Sequence, residues 1–157
     1  MSSPMRELKV RRIESGTVID HIPPGQALNV LKILGIRGGS DAVVSMVMNV
    51  VSRTASKRKD IVKIESRELA PSELEQIAFI APDATVNIIR DYKVVEKRKV
   101  VLPEIARGVL RCANPNCISN TSEPIVSEFV VESTRPIVVR CAYCERTLSG
   151  DLADHLL

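Results

Sequence analysis

Aromatic side chains are scarce in this sequence of 157 residues, which contains no Trp, two Tyr and two Phe. Proteins that bind single-stranded nucleic acid stack bases on such side chains, so this class of function is disfavoured. No apolar run is long enough to span a bilayer, and the N-terminus lacks the apolar core of a signal peptide. We therefore expect a cytoplasmic protein with neither a membrane nor a nucleic acid as partner.

Groups that carry acid–base or nucleophilic catalysis are equally few. The chain has two histidines, His21 and His155, and no Ser or Cys stands beside an evident base. An activated nucleophile needs such a base within hydrogen-bond reach. The sequence therefore disfavours an enzyme.

Four cysteines are present, and their spacing carries the strongest signal. Cys112 and Cys117 form C-x4-C, and Cys141 and Cys144 form C-x2-C after a gap of 23 residues. Two tight turns of this kind together make a tetrahedral cage for Zn²⁺, which favours four thiolates at about 2.3 Å. Two disulfides or four unrelated thiols are the alternatives, and disulfides suit secreted proteins. A four-cysteine cage has no open coordination position, so the predicted zinc, one per chain, is structural.

Charge is distributed unequally along the chain. Residues 1–103 contain 17 Lys/Arg and 12 Asp/Glu, a balance of +5, whereas residues 104–157 contain 5 and 7, a balance of −2. The N-terminal part is therefore better suited to an anionic ligand than the cysteine-bearing part.

The N-terminal hundred residues alternate between strand and helix patterns. Strands are predicted around residues 8–13 and 17–22, then at 42–51, 61–64, 85–89 and 92–95. Helices are predicted at 26–34, ended by glycines, and from Pro71 onward, although Ser72 with Glu75 fits an alternative capping box. The resulting β-α-β-β-α-β order is the ferredoxin-like arrangement, with two helices on one sheet face and the other face open.

After a charged and proline-marked linker, the pattern changes to short β-branched runs at 127–132 and 136–140, between the cysteine pairs. These runs predict a hairpin that carries the metal. The predicted fold class is thus α+β, with a ferredoxin-like domain at residues 1–100 and a small all-β zinc domain at 101–157.

Several separated motifs resemble one known family, the regulatory chain of aspartate carbamoyltransferase. They are, in order, residues 16–23 (GTVIDHIP), 58–60 (RKD), 63–65 (KIE), 81–82 (AP), 84–87 (ATVN), the C-x4-C…C-x2-C cage, and the segments 112–119 and 123–124 around it. The resemblance covers about residues 8–148.

The resemblance implies a non-catalytic subunit of the pyrimidine pathway. Its N-terminal allosteric domain binds CTP as inhibitor and ATP as activator, and its zinc domain docks on the catalytic chain. Regulatory chains of this family pair as homodimers that bridge two catalytic trimers into a dodecamer. We expect the loop at residues 113–116, with Asn120 and Tyr143, to contact the catalytic chain.

The same resemblance implies an effector site. Lys97 and nearby His21 face the triphosphate, and Asp20 and Lys63 lie around the ribose. Backbone groups of Arg12, Ile13 and Tyr92 read the base edge. The residues expected around base and sugar are Val10, Ile13, Val18, Asn87, Ile89, Tyr92 and Val94.

A nucleic-acid-binding zinc ribbon is the remaining alternative. The basic stretch at residues 53–63 and the four cysteines favour it. The net negative charge of residues 104–157 counts against it, because binding to phosphate backbones needs clusters of Lys and Arg.

Overall fold

The structure is a computed structural model that describes residues 12–39, 41–53 and 57–157. These residues form two compact units that divide between Val100 and Val101. The strand predicted at residues 8–13 lies mostly outside the described residues, and so does Val10. No helix in the described ranges is long and apolar enough to cross a membrane.

The described residues of the first unit form five strands and two helices. In chain order they are β1 (Gly16–Ile22), α1 (Ala27–Ile33), β2 (Val44–Val51), β3 (Arg58–Glu65), α2 (Pro71–Ile80), β4 (Thr85–Arg90) and β5 (Lys93–Lys99). The sheet order is β2-β3-β1-β4-β5, and every neighbouring pair is antiparallel. The first four strands with the two helices make the predicted β-α-β-β-α-β arrangement, and β5 extends it by one strand.

Helix ends follow the predicted signals. After α1, the N–H of Ile36 donates to the carbonyl of Leu31 and the N–H of Gly35 donates to that of Lys32. This is a Schellman motif, with Gly35 at a φ of +70°. Pro71 is the first residue of α2, and the Glu73 carboxylate accepts the Ala70 N–H at 2.9 Å. Of the two predicted starts, the one at Pro71 is therefore confirmed.

One face of the sheet is buried under the helices. Asp60 on β3 marks this face, because its Oδ2 accepts the N–H groups of Gly25 and Ala27 at the start of α1. Side chains alternate along a strand, so the buried residues Val62, Ile19 and Val86, which pair laterally, lie on the same face. The residues that alternate with them along each strand project from the opposite face, which the helices leave open.

The second unit is a four-stranded antiparallel sheet with order β6-β7-β8-β9. The strands are β6 (Ile105–Arg107), β7 (Glu128–Thr134), β8 (Ile137–Cys141) and β9 (Thr147–Ser149), with single 3-10 turns at Ile118–Asn120 and Leu152–His155. The predicted hairpin is β7–β8, and the short outer strands β6 and β9 were not predicted. Phe129, Leu110 and Val139 fill its core. The mixed α+β class with a separate all-β part is confirmed.

Two predicted details of the first sheet are wrong. The alternation predicted along residues 42–51 breaks after Val47, because Asn49 has a φ of +60° and its N–H donates to Asp60 Oδ1 at 2.8 Å. The strand predicted at 92–95 continues to Lys99, through a charged run whose sequence predicts a linker. Backbone pairing with β4 holds that run in the sheet although none of its side chains is buried.

Candidate functional site

The four cysteines converge in the second unit. Cys112 and Cys117 lie on the loop between β6 and β7, Cys141 ends β8, and Cys144 follows in the next turn. All four Sγ atoms lie within 4.8 Å of one another, with Cys112 and Cys144 at 3.5 Å and Cys117 and Cys141 at 3.7 Å. Disulfide sulfurs would be about 2.05 Å apart. A Zn–S tetrahedron with bonds of about 2.3 Å places its sulfurs about 3.8 Å apart, so the cluster fits Zn²⁺.

Local hydrogen bonds shape the first cysteine loop before any metal is considered. The Asn120 side-chain amide donates to the carbonyls of Cys112 and Asn114 at 2.8 and 2.7 Å. The Asn116 N–H donates to Asn114 Oδ1, and the Cys117 N–H donates to the Asn114 carbonyl. These hydrogen bonds, which include an Asx turn at Asn114, fix the shape of the loop.

The electrostatics of this cluster favour a bound cation. Burial raises the pKa of the Cys112 thiol to about 12 and raises that of Cys141, whereas the backbone N–H of Arg146 lowers the pKa of Cys144 to about 7. Four thiolates this close together repel one another strongly in a buried setting. A divalent cation at their centre offsets that repulsion and keeps the thiols deprotonated. The cluster is therefore a structural zinc centre.

A second candidate site lies on the open face of the first unit. A cleft of about 620 Å³ is lined by Arg12, Ile13, Val18, Lys63, Asn87, Ile89, Tyr92, Lys93 and Val94. Three of these residues are cationic and none is acidic, so the cleft favours an anionic ligand. Eight of the nine belong to the effector site that the resemblance implies.

The strand register explains why distant residues meet in this cleft. Val18 of β1 pairs with Lys63 on one side and Asn87 on the other, and Asn87 pairs with Lys97 of β5. Directly paired residues project from the same face, so these four side chains form one row across the open face, which we call the middle row. Lys97 lies at its outer end, beyond the residues that line the cleft.

Asp20 and His21 lie next to the middle row rather than in the cleft lining. Lys59 Nζ is 2.9 Å from Asp20 Oδ1, an ion pair in which both side chains are largely buried. The same carboxylate accepts the His21 N–H at 2.6 Å, and His21 Nδ1 is 3.2 Å from Thr85 Oγ1. His21 has a φ of +59° at an irregularity in the β1–β3 pairing. Bulges with non-glycine residues at positive φ are common where a strand re-aims a functional side chain.

Opposite the middle row, the β4–β5 turn closes the cleft. Asp91 and Tyr92 have φ values of +51° and +65°, the signs of a type I′ hairpin turn that is usually built with Asn and Gly. The Tyr92 N–H donates to the Glu14 carbonyl at 3.0 Å, which ties the turn to the segment before β1. Tyr92 is thus fixed at the cleft mouth with more than half of its surface exposed.

Sequence reasoning missed Lys59 and Lys93. Lys59 is four residues before Lys63 on β3, and alternation along that strand places both on one face, but the predicted strand began only at residue 61 and left Lys59 out. Lys93 lines the cleft near the β4–β5 turn, and no sequence pattern indicates this position.

Comparisons with known proteins cover both units. Residues 8–101 match the family model described as aspartate carbamoyltransferase regulatory chain, allosteric domain. Residues 104–153 match the one described as aspartate carbamoyltransferase regulatory chain, metal binding domain. The first match contains the cationic cleft, and the second contains the four cysteines.

Three relatives illustrate the similarity over the full length, and each bears the name aspartate carbamoyltransferase regulatory chain. The one from Methanothrix thermoacetophila is 60% identical over 152 residues, 97% of this chain and 98% of the relative. The one from Methanocella arvoryzae is 59% identical over 153 residues, 97% of each chain. The one from Thermofilum pendens is 54% identical over 152 residues, 96% of this chain and 95% of the relative.

Proposed function

This chain belongs to the family of aspartate carbamoyltransferase regulatory chains, non-catalytic subunits of pyrimidine biosynthesis, and from that premise we propose that its cleft binds nucleotide effectors. CTP is the proposed inhibitor and ATP the proposed activator, and both occupy the same cleft. The chemistry of the enzyme takes place on the catalytic chain. This chain carries the signal from effector to catalytic chain.

The middle row is the observation that carries the proposal. It crosses the open face with a cation at each end, Lys63 and Lys97, and with Val18 and Asn87 between them. A nucleotide needs cations for its phosphates, amide partners for its polar edges and an apolar surface for its base. The row provides these groups side by side in the domain that matches the allosteric family model.

The two sides of the row support one orientation of the ligand. On one side Ile89 pairs with Val94, and together with Ile13 and Tyr92 these side chains form an apolar wall suited to the base. On the other side lie His21 and the Asp20–Lys59 ion pair. We propose that the base binds against the apolar wall, that Lys63 and Asp20 lie near the ribose, and that Lys97 and His21 face the phosphates.

For the zinc unit we propose docking on the catalytic chain. The metal fixes the loop at residues 113–116, and Asn120 holds that loop from the side through its two carbonyl contacts. Tyr143 is half exposed, and its hydroxyl donates to the Val126 carbonyl at 2.9 Å, so its ring is held in place at the surface. Four thiol ligands favour a reducing compartment, and we propose a cytoplasmic location on that ground.

Pairing of two regulatory chains is proposed to use the edge strand β2. Its eight residues, VSMVMNVV, include no charge and no proline, and Met46, Met48 and Val51 are exposed. Proteins usually protect a long edge strand with charges, as β5 does with its Lys and Arg residues. A second copy covering β2 across a two-fold axis would remove the unprotected edge, in keeping with the dodecamer of three regulatory dimers and two catalytic trimers.

Regulation then follows from a two-state equilibrium. An effector shifts the enzyme only by the difference between its affinities for the low- and high-activity states. CTP and ATP share a site and favour opposite states, so their effects on activity oppose each other by competition. We propose that the turn at Asp91 and Tyr92 and the bulge at His21, where non-glycine residues have positive φ, differ between the two states.

Calorimetric titration of CTP into the zinc-loaded chain tests this function. We expect saturable binding, and we expect Lys97→Ala to weaken it about ten-fold through the loss of one phosphate contact. Arg98→Ala is the matched control. Arg98 is the next residue on β5 and pairs with the buried Val86, so it projects from the opposite face; its substitution should change the affinity less than about two-fold.

Absence of CTP and ATP binding to the wild-type chain would contradict the proposed function. Equal losses for Lys97→Ala and Arg98→Ala would show that net charge alone, and not the middle row, attracts the ligand.

A further inference from the structure

The residues that follow β9 fold back across the second unit as a strap, the name we give to residues 152–157. The strap begins with the 3-10 turn Leu152–His155, in which the Leu152 side chain is buried. Near its other end Leu156 lies opposite Leu110 in an isolated antiparallel bridge, and Leu110 is fully buried. One end of the strap is therefore anchored in the core, and the other is paired with a distant part of the chain.

Backbone hydrogen bonds attach the strap to the segment that leads into the zinc site. The Leu157 N–H donates to the Val109 carbonyl at 2.9 Å, and the Arg111 N–H donates to the His155 carbonyl at 2.6 Å. Arg111 immediately precedes Cys112, the first of the four cysteines. The strap therefore holds the backbone directly before this ligand.

Cys112 depends on the strap more than the other cysteines do. Strand β6 ends at Arg107, so residues 108–111 lie outside any strand. These four residues make three backbone hydrogen bonds within the described part of the chain, and two of them are to the strap. By contrast, the Cys117 N–H is held within its own loop, and Cys141 is the last residue of β8.

The strap also connects the supports of the two cysteine pairs. It follows β9, which pairs with β8, and β8 carries Cys141 at its end. From there it crosses to the backbone before Cys112. A zinc ion leaves its site when one ligand after another moves away, and a ligand that is held in place rebinds before the next one dissociates.

We propose that the strap positions Cys112 for the metal and thereby sets how slowly zinc leaves the second unit. Its backbone groups act as positioning groups, because they touch the chain beside the ligand and not the metal. This inference rests on the zinc centre and is independent of the nucleotide site.

A competing explanation is that the strap only covers the core. Leu152 is buried, and loss of any buried apolar side chain lowers the stability of the unit around it. In that case removal of the strap weakens zinc binding as any other loss from the core does. The number of thiolates on the metal then stays at four.

The first experiment compares the full chain with a chain shortened to end at Ala153, which keeps Leu152 and removes both hydrogen bonds to residues 109–111. We expect zinc to pass to an excess of chelator about ten-fold faster from the shortened chain. Loading with cobalt(II), a tetrahedral substitute for zinc, reports the ligands, because its sulfur-to-metal charge-transfer absorption depends on the number of bound thiolates. This absorption should fall in the shortened chain.

Val139→Ala is the control for stability alone. Val139 is buried on β8 and pairs with β7 and β9, not with the strap. Its substitution should lower the stability of the second unit and leave the cobalt absorption unchanged.

A matched pair of substitutions at Leu157 tests the hydrogen bond itself. Leu157→Pro removes the N–H that donates to Val109, whereas Leu157→Ala keeps it and shortens a side chain that is more than half exposed. We expect zinc release about three-fold faster in Leu157→Pro and close to the wild-type rate in Leu157→Ala.

Three results would overturn the proposal. One is a shortened chain that releases zinc at the wild-type rate with an unchanged cobalt spectrum. Another is an equal effect of Leu157→Pro and Leu157→Ala. The third is an equal fall of the cobalt absorption in Val139→Ala and in the shortened chain, which would show that the strap acts through stability alone. None of these results bears on nucleotide binding, so the proposed function is tested separately.

Discussion

Replacing Cys117 with Ser is expected to unfold the second unit and leave the first unit folded. A serine hydroxyl is a poor zinc ligand, and the three remaining thiols cannot complete the tetrahedron. Metal binding to structural zinc sites contributes on the order of 10 kcal/mol to folding, more than a unit of this size can lose. The measurement is zinc content together with amide hydrogen exchange along the chain. Exchange protection in β7 and β8 should disappear, whereas protection in β1, β3 and β4 should remain.

Ser119→Ala is the matched control for this substitution. Its hydroxyl lies 3.1 Å from Cys117 Sγ, so the change removes a contact to the same sulfur while all four ligands stay in place. We expect one zinc per chain and a loss of about 1 kcal/mol in the stability of the second unit. Retained protection in β7 and β8 of a zinc-free Cys117→Ser chain would show that the metal does not hold this unit together.

Gly16→Ala is expected to destabilise the first unit by more than about 4 kcal/mol. Gly16 begins β1, the central strand, and has a φ of +138°. A Cβ atom added there would lie 2.1 Å from the Ile64 carbonyl oxygen and 2.9 Å from the Glu65 Cα. Both contacts are to backbone, so the clash is relieved only if β1 separates from β3, whose pairing begins at Gly16 and Glu65.

Urea unfolding of the first unit measures this effect. The chain has one tyrosine in each unit, Tyr92 and Tyr143, and no tryptophan. In a Tyr143→Phe background, Tyr92 fluorescence therefore reports the first unit alone. Gly38→Ala is the control, because that glycine has no positive φ and nothing lies within 4 Å of an added Cβ. A Gly16→Ala midpoint close to that of Gly38→Ala would mean that the backbone at Gly16 tolerates a side chain.

Local signals were sufficient to predict the helices and most strands. The α1 end at Gly35 and the α2 start at Pro71 are fixed by residues within one helical turn, so a single sequence contains the information. The metal site could be predicted equally well from the sequence, because the two cysteines of each pair are close together and zinc coordination is stereotyped. The break in β2 at Asn49 could not be predicted from the sequence, because it depends on a hydrogen bond to the carboxylate of Asp60, which is distant in the chain.

The extent of β5 could not be predicted for a related reason. Residues 96–99 read EKRK and show no apolar alternation, because no side chain of this edge strand is buried. Its conformation is imposed by hydrogen bonds to β4, which are invisible in the sequence.

The effector cleft could be predicted from the sequence only in part. Without the resemblance, Lys63 reads as a solvated strand residue, and Val18 and Ile89 read as core. Their meeting on the open face depends on the β1–β3 and β1–β4 registers, in which Val18 lies between Lys63 and Asn87. The Lys59–Asp20 ion pair depends in addition on the irregularity near His21.

The most direct test of the central claim is the response of catalytic turnover to CTP. The catalytic chain of the cognate aspartate carbamoyltransferase is assayed alone, with the wild-type regulatory chain, and with its Lys97→Ala and Arg98→Ala variants. We predict that CTP changes the activity only when the regulatory chain is present, and that Lys97→Ala shifts this response to about ten-fold higher CTP while Arg98→Ala does not. A CTP response of the catalytic chain alone, or an assembled enzyme that CTP leaves unchanged, would contradict the account.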